Sequence, residues 1–204
     1  MKPLFITGIG TGIGKTLISA IFVEKLKADY WKPIQSGDLE NSDTDKVRAL
    51  VSNPISHFHP EAYRLTQPFS PHKSAELDGV KIELNSIQIP YTANNLIIEG
   101  AGGLMVPLND HDLIVHLIEK LEAEAIVVSR NYLGSINHTL LSLQELRRRN
   151  IRVKALVFNG EADEYTEGFI INYSKIETII RIPEMENLTK TEIQKVAERF
   201  EFKL

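Results

Sequence analysis

Nine residues, Gly8-Ile9-Gly10-Thr11-Gly12-Ile13-Gly14-Lys15-Thr16, stand between the apolar run Leu4-Phe5-Ile6 and a helical pattern that opens at Leu17. Their chemistry is that of an anion cradle. Glycines let backbone N–H groups converge on a phosphate, and the N-terminus of the following helix adds partial positive charge. Lys15 then reaches the terminal phosphates and the Thr16 hydroxyl is offered to Mg2+. Gly12, Ile13, Gly14, Lys15, Thr16 and Leu17 are therefore the expected nucleotide contacts. The spacing is a variant, with five residues between Gly8 and Gly14 where the common phosphate loop has about four. The bland alternative is a glycine-rich turn without a ligand.

Open parallel sheets hold ligands outside the carboxyl ends of their strands, so the residues that follow each apolar run bear on function. Leu96-Ile97-Ile98 ends in Glu99, followed by Gly100-Ala101-Gly102-Gly103. A carboxylate there holds Mg2+ directly or through water while the glycines let the chain pass close to phosphate; otherwise it is an acid at a strand end beside a turn. Trp31-Lys32-Pro33-Ile34-Gln35-Ser36-Gly37 ends a second strand, and Pro33 keeps Lys32 extended, which fixes its direction. Lys32 is either aimed at the cradle or an ordinary surface lysine. Ser42-Asp43-Thr44-Asp45 precedes the helical run Val47 to Val51, so Ser42 or Asp43 caps it, a role compatible with metal binding. Asn159-Gly160 is first a turn signal, although an amide at a strand end also suits a nucleobase edge. Ile182-Pro183-Glu184 closes the last apolar run. His57-Phe58-His59 has no third ligand at a useful spacing and reads as surface, and Leu140, Leu141, Leu143 and Leu146 read as helix core.

The elements that must position these groups alternate along the chain. Strand-length apolar runs fall at 4–7, 31–34, 96–99, 125–129, 153–159 and 178–182, and helical patterns at 15–28, 43–51, 110–121, 135–149, 164–172 and 189–200. This predicts an α/β fold with a mostly parallel sheet and helices on both faces. Residues 53–94 are the least regular, with five of the nine prolines, and are expected to make an excursion over the active face.

A chain of 204 residues without a Pro/Gly/Ser-rich linker is expected to form a single domain, 1–204. Its net charge of −4 and scattered lysines favour small-molecule partners over nucleic acid. Zero cysteines exclude disulfides, thiolate metal sites and cysteine nucleophiles, and fit a reducing compartment. Met1-Lys2-Pro3 leads directly into the first strand and no run of eighteen apolar residues occurs, so a cytoplasmic protein without a membrane span is expected.

Several of these residues fall in an order already associated with one family. Thr7-Gly8, Thr11, Gly14-Lys15-Thr16, Lys32-Pro33 with Ser36-Gly37, Asn41-Ser42-Asp43, Ser70-Pro71-His72, Glu99 to Gly103 and Leu133-Gly134-Ser135-Ile136-Asn137-His138 resemble the dethiobiotin synthetases over nearly the whole chain. The resemblance implies a P-loop NTPase-like fold and a homodimer. It also implies an ATP- and Mg2+-dependent ligase that joins CO2 to 7,8-diaminononanoate and closes a cyclic urea. By the same resemblance Lys15 and Lys32 are the catalytic cations, and Thr16, Asp43 and Glu99 gather metal and phosphates together with Gly100, Ala101 and Gly102. Thr11 and Ser36 face the diamine or its carbamate, while Asn159, Pro183 and Glu184 line the base pocket. Leu133, Gly134 and Asn137 reach substrate bound to the partner subunit.

Two residues depart from the family pattern. Gly10 stands where members often carry Asp, and Asp45 lies close enough to compete with Asp43. The rival reading is a switch ATPase that acts on a protein partner, although Gly10 also occupies the place of the second lysine of partition-type loops. An amidoligase of related fold is a nearer alternative, but such enzymes usually draw nitrogen from a cysteine-dependent glutaminase domain.

Overall fold

The computed structural model describes residues 2–204. Its strands are β1 Leu4–Gly8, β2 Asp29–Trp31, β3 Ile34–Ser36, β4 Phe58–His59, β5 Tyr63–Leu65, β6 Leu96–Gly103, β7 Glu124–Ser129, β8 Val153–Asn159 and β9 Ile179–Ile182. The α-helices are α1 Lys15–Leu26, α2 Asp43–Leu50, α3 Pro71–Leu77, α4 Ile114–Lys120, α5 Ser135–Arg148, α6 Glu164–Ser174 and α7 Lys190–Glu198. Seven strands form one sheet in the order β4-β2-β6-β1-β7-β8-β9, and every pairing is parallel.

Both faces of this sheet are covered, which is why its central strands read as unbroken apolar runs. Side chains alternate along β1, so Leu4 and Ile6 pack with α1, α2 and α7 while Phe5 packs on the side of α3 to α6. The chain leaves β1 through α1 toward β2 on one side, and leaves β6 through α4 toward β7 on the other. That reversal opens a crevice beyond the carboxyl ends of β1 and β6, where the glycine loop lies.

The expected strand 31–34 is two strands. Pro33 has no N–H to continue a ladder, and its carbonyl instead accepts from Ala62 and Tyr63, so the chain leaves the main sheet and starts the two-stranded β3-β5 sheet. Lys32 sits at the break. The helix expected at 110–121 begins only at Ile114, because the Asn109 side chain accepts from the His111 and Asp112 backbones and holds a turn there. Within α5, Leu143 and Leu146 are buried, but Leu141 lies about 100° round the helix from Leu140 and is exposed. Residues 53–94 contribute β4, β5 and α3, the last too short for a periodic signal, and do cross the active face. His57 is exposed as expected, but His59 is largely covered and its Nε2 lies 3.2 Å from Asp29 Oδ2.

Candidate active site

The loop after β1 is shaped by contacts that only glycine allows. Gly14 has φ +94°, and a Cβ there would fall 2.2 Å from Asn159 Nδ2. Asn159 holds the loop from below, donating from Nδ2 to the Ile13 carbonyl at 2.8 Å. Lys15, the first residue of α1, is buried and donates to the Gly10 carbonyl at 2.9 Å. Burial pushes its ammonium down to about 8, partly offset by Glu99 and reinforced by Lys32.

Glu99 is the hub of the site. It is 1% exposed and receives four side-chain donors. Oε1 accepts from Thr16 Oγ1 at 2.9 Å and from Lys32 Nζ at 3.0 Å; Oε2 accepts from Ser19 Oγ at 2.8 Å and from Tyr30 OH at 2.9 Å. Glu99 is the last residue in regular register with β1, opposite Ile6, and directly after it the register advances by two residues to Gly8↔Gly103. Such an irregularity re-aims a strand end. Gly100 permits it, since a Cβ there would lie 2.6 Å from the Phe5 ring.

Lys32 also pairs with Asp43, so one ammonium is shared by two carboxylates. Burial alone would lower its pKa, but Glu99 and then Asp43 outweigh that and raise it above the ordinary lysine value. At Asp43, attraction to Lys32 and Lys46 overcomes burial and lowers the pKa. Gln35 braces the pair, accepting from the Asp43 backbone N–H at 3.3 Å and donating to the Gly37 carbonyl at 2.9 Å. Asp45 has a different role. It accepts from the Ser42 backbone and hydroxyl, completes a capping box for α2, and pairs outward with Arg48.

These groups line a cavity of about 670 Å³. It brings together Thr11, Gly12, Gly14, Lys15, Thr16, Lys32, Ser36, Asp43, Glu99, Ala101 and Gly102, as the sequence predicts, with Pro68 to Pro71 as its outer wall. The Ser36 hydroxyl is shielded from water and has no hydrogen-bond partner among the described residues. Ile13 turns its side chain into the core, and Leu17 and Gly100 lie outside the lining. Asn159 is 7% exposed and spends one N–H of its amide on the loop, leaving its oxygen and its second N–H for a base. Pro183 is exposed, and Glu184 pairs with Arg130 at 2.9 Å. Leu133, Gly134 and Asn137 are not in this cavity; they line a separate concavity with Asn131 and Asp163. Ser19 and Tyr30 were not singled out in the sequence. A signal existed, because Ser19 is one helical turn beyond Thr16 and Tyr30 shares the strand face of Lys32.

The donor set fits magnesium. Thr16 Oγ1 and Lys32 Nζ meet at the same Glu99 oxygen, and Asp43 faces the same ammonium, so two carboxylates already converge on one positive charge. Among the described residues no three His, Cys, Asp or Glu gather that could hold a metal by themselves. Magnesium commonly takes only one or two carboxylates and fills its shell with water and substrate phosphates.

A glycine loop at the head of α1, with an acid on the adjacent strand, defines a P-loop nucleotide-dependent enzyme. A family model described as an AAA domain matches residues 2–192. In fold the chain is similar to a ParA family ATPase from Chlorobium tepidum, with TM-score 0.61 and 14% identity over 98% of this chain and 100% of that one. It is similarly close to the cell division ATPase MinD of Pyrococcus furiosus, with TM-score 0.60 and 14% identity over 97% and 98%. In sequence it is 51% identical to the ATP-dependent dethiobiotin synthetase BioD of Christiangramia forsetii, over 100% of this chain and 98% of the relative. It is 52% identical to that of Cytophaga hutchinsonii, over 93% and 92%. The chain belongs to the ATP-dependent dethiobiotin synthetase family.

Proposed function

We propose that residues 1–204 work as one ligase domain that converts 7,8-diaminononanoate, CO2 and ATP to dethiobiotin, ADP and phosphate. The observation that carries this reading is the Lys32 ammonium, buried between Glu99 and Asp43 beside a phosphate loop. A switch ATPase needs the loop and an acid, but has no use for a second buried lysine in a cavity that it shares with Ser36. The likeness to ParA and MinD is one of fold, whereas the relatives at about half identity are synthetases.

The reaction brings anions together. An unprotonated substrate amine adds CO2 and loses a proton to form a carbamate, whose oxygen attacks the γ-phosphorus of ATP, displacing ADP and forming a carbamic-phosphoric anhydride. The second amine then attacks the carbamic-phosphoric anhydride at carbon, phosphate leaves, and the urea ring closes with loss of a proton. Two unit charges about 4 Å apart repel by roughly 4 kcal/mol at an effective dielectric of about 20. Unopposed, that slows the step by about three orders of magnitude. Lys15 and Lys32 oppose it, Lys15 from the loop and Lys32 from the β2 end, so positioning and electrostatics suffice without a protein nucleophile. Thr11 and Ser36 orient the diamine or its carbamate. Thr16, Asp43 and Glu99 would hold Mg2+, which when bound supplies charge neutralisation at the phosphates.

Two further assignments follow from the family. The Asn159 amide and the Pro183-Glu184 segment border the base. Leu133, Gly134 and Asn137 serve the other subunit of a homodimer, a reading supported by the exposed apolar side chains of Leu133, Leu141 and Met105. Incubation with Mg2+-ATP, bicarbonate and diaminononanoate is expected to yield dethiobiotin by mass spectrometry. Absence of product together with ATP hydrolysis that rises only with a protein partner would overturn the ligase reading.

A further inference from the structure

We propose that Tyr30, together with Ser19, is a positioning residue that fixes the orientation of the Glu99 carboxylate, holding one oxygen toward the core so that the other faces the cavity. The inference rests on Glu99 serving the metal and nucleotide, as in the ligase reading.

The four donors to Glu99 divide by place. Thr16 and Lys32, which line the cavity, both bind Oε1. Ser19 and Tyr30, which do not line it, both bind Oε2. Each lies in a fixed element: Ser19 is fully buried in α1, and Tyr30 is fully buried in β2 with its ring 6.2 Å from that of Phe58. The terminal torsion of a glutamate is broad and roughly two-fold, so packing alone does not decide where its oxygens point. Two hydroxyls on one oxygen do decide it. They occupy Oε2 with neutral donors from the core and leave Oε1 to the groups that work with the phosphates. Neither Tyr30 nor Ser19 touches the cavity, so both act through Glu99.

Tyr30→Phe removes the phenolic hydroxyl and keeps the ring. Loss of a partner behind a metal-holding carboxylate commonly costs about 10–100-fold in metal affinity or activity. The expected result is a 10–100-fold rise in the Mg2+ concentration needed for half-maximal turnover, with activity largely restored at high Mg2+ and the ATP KM at saturating metal nearly unchanged. Binding of Mn2+ in the presence of ADP, followed by electron paramagnetic resonance, should weaken by a similar factor. A purely packing role would lower the melting temperature and leave both metal readouts alone, and that outcome overturns the proposal. Ser19→Ala acts on the same oxygen and should shift the same two readouts; if Tyr30→Phe fails to fold, normal metal binding by Ser19→Ala is the overturning result. The Mn2+–ADP titration needs no ligase activity, so failure of the wild type to make dethiobiotin would count against the ligase reading and leave this test intact.

Discussion

Glu99 and Asp29 are both carboxylates nearly closed off from water, at 1% and 2% exposure, on the paired strands β6 and β2. Each has its hydrogen-bonding capacity filled. Asp29 accepts from the His57 backbone, Thr92 Oγ1 and Asn94 Nδ2, with His59 Nε2 beside it, and so ties both ends of the irregular 57–94 stretch to the sheet. Glu99 accepts from two residues of α1, from Tyr30 and from a lysine. Burial and bond count therefore do not tell the two apart. What differs is the end of the strand and the nature of the donors. Asp29 opens its strand, away from the ligand crevice, and among the described residues no Lys or Arg pairs with it, whereas Glu99 lies within β6 just past the end of the neighbouring β2 and shares a buried ammonium.

The comparison predicts opposite phenotypes, and the largest effect lies on the Glu99 side. Lys32→Ala is expected to cut turnover about 1,000-fold while ATP affinity stays close to wild type, because in the proposed mechanism the lost charge acts on the transferring phosphoryl group. Steady-state kinetics and nucleotide titration check this. Near-normal turnover would remove Lys32 from the chemistry and leave Glu99 as one more structural acid.

On the Asp29 side the effect should be on stability alone. Asp29→Asn turns an amide toward several donors and is expected to cost about 2–3 kcal/mol, with turnover at 25 °C unchanged. The pH dependence sharpens the point. Burial would raise the Asp29 pKa, but the bonds from Thr92, His57, Asn94 and His59 outweigh it and hold it below the ordinary carboxylate value. The folded form therefore binds the proton less tightly than the unfolded chain. Its contribution is complete above about pH 4 and disappears as pH falls through the lower folded value. Melting curves of wild type and Asp29→Asn, which share the neighbours His57 and His59, should converge in that acid range. A gap that persists unchanged to pH 2 would show that the carboxylate's charge contributes nothing.

The difference between the two acids was only half legible beforehand. Glu99 announces itself, because an apolar run, an acid and glycines in that order point to a ligand crevice, although the strand does not end at the acid as expected but runs on through the glycines to Gly103. Asp29 gives no such signal: its partners are up to 65 residues away in segments with no periodicity, and His57-Phe58-His59 alone suggests nothing but surface. The sheet and most helices follow from alternating apolar patterns. The break at Lys32-Pro33 does not, since a proline inside a short apolar run leaves open whether the strand bends or ends. The Leu133–Asn137 segment lies in a concavity of its own with Asn131 and Asp163, a placement that no spacing in the sequence indicates.

The pair Asp43 and Asp45 repeats the comparison at closer range and smaller cost. Two residues apart on the first turn of α2, they point in directions that spacing could not distinguish. Asp43 turns toward Lys32 and Asp45 back onto Ser42. Asp45→Ala should remove half of the capping box, lowering stability by about 0.5–1 kcal/mol, while turnover and Mg2+ dependence stay at wild-type values. The sign of this outcome matters more than its size. If Asp45→Ala raised the Mg2+ requirement, the metal corner would extend beyond Asp43, and the rule drawn from Glu99 and Asp29 would fail at its nearest test: an acid's role is set by whether it shares the buried ammonium.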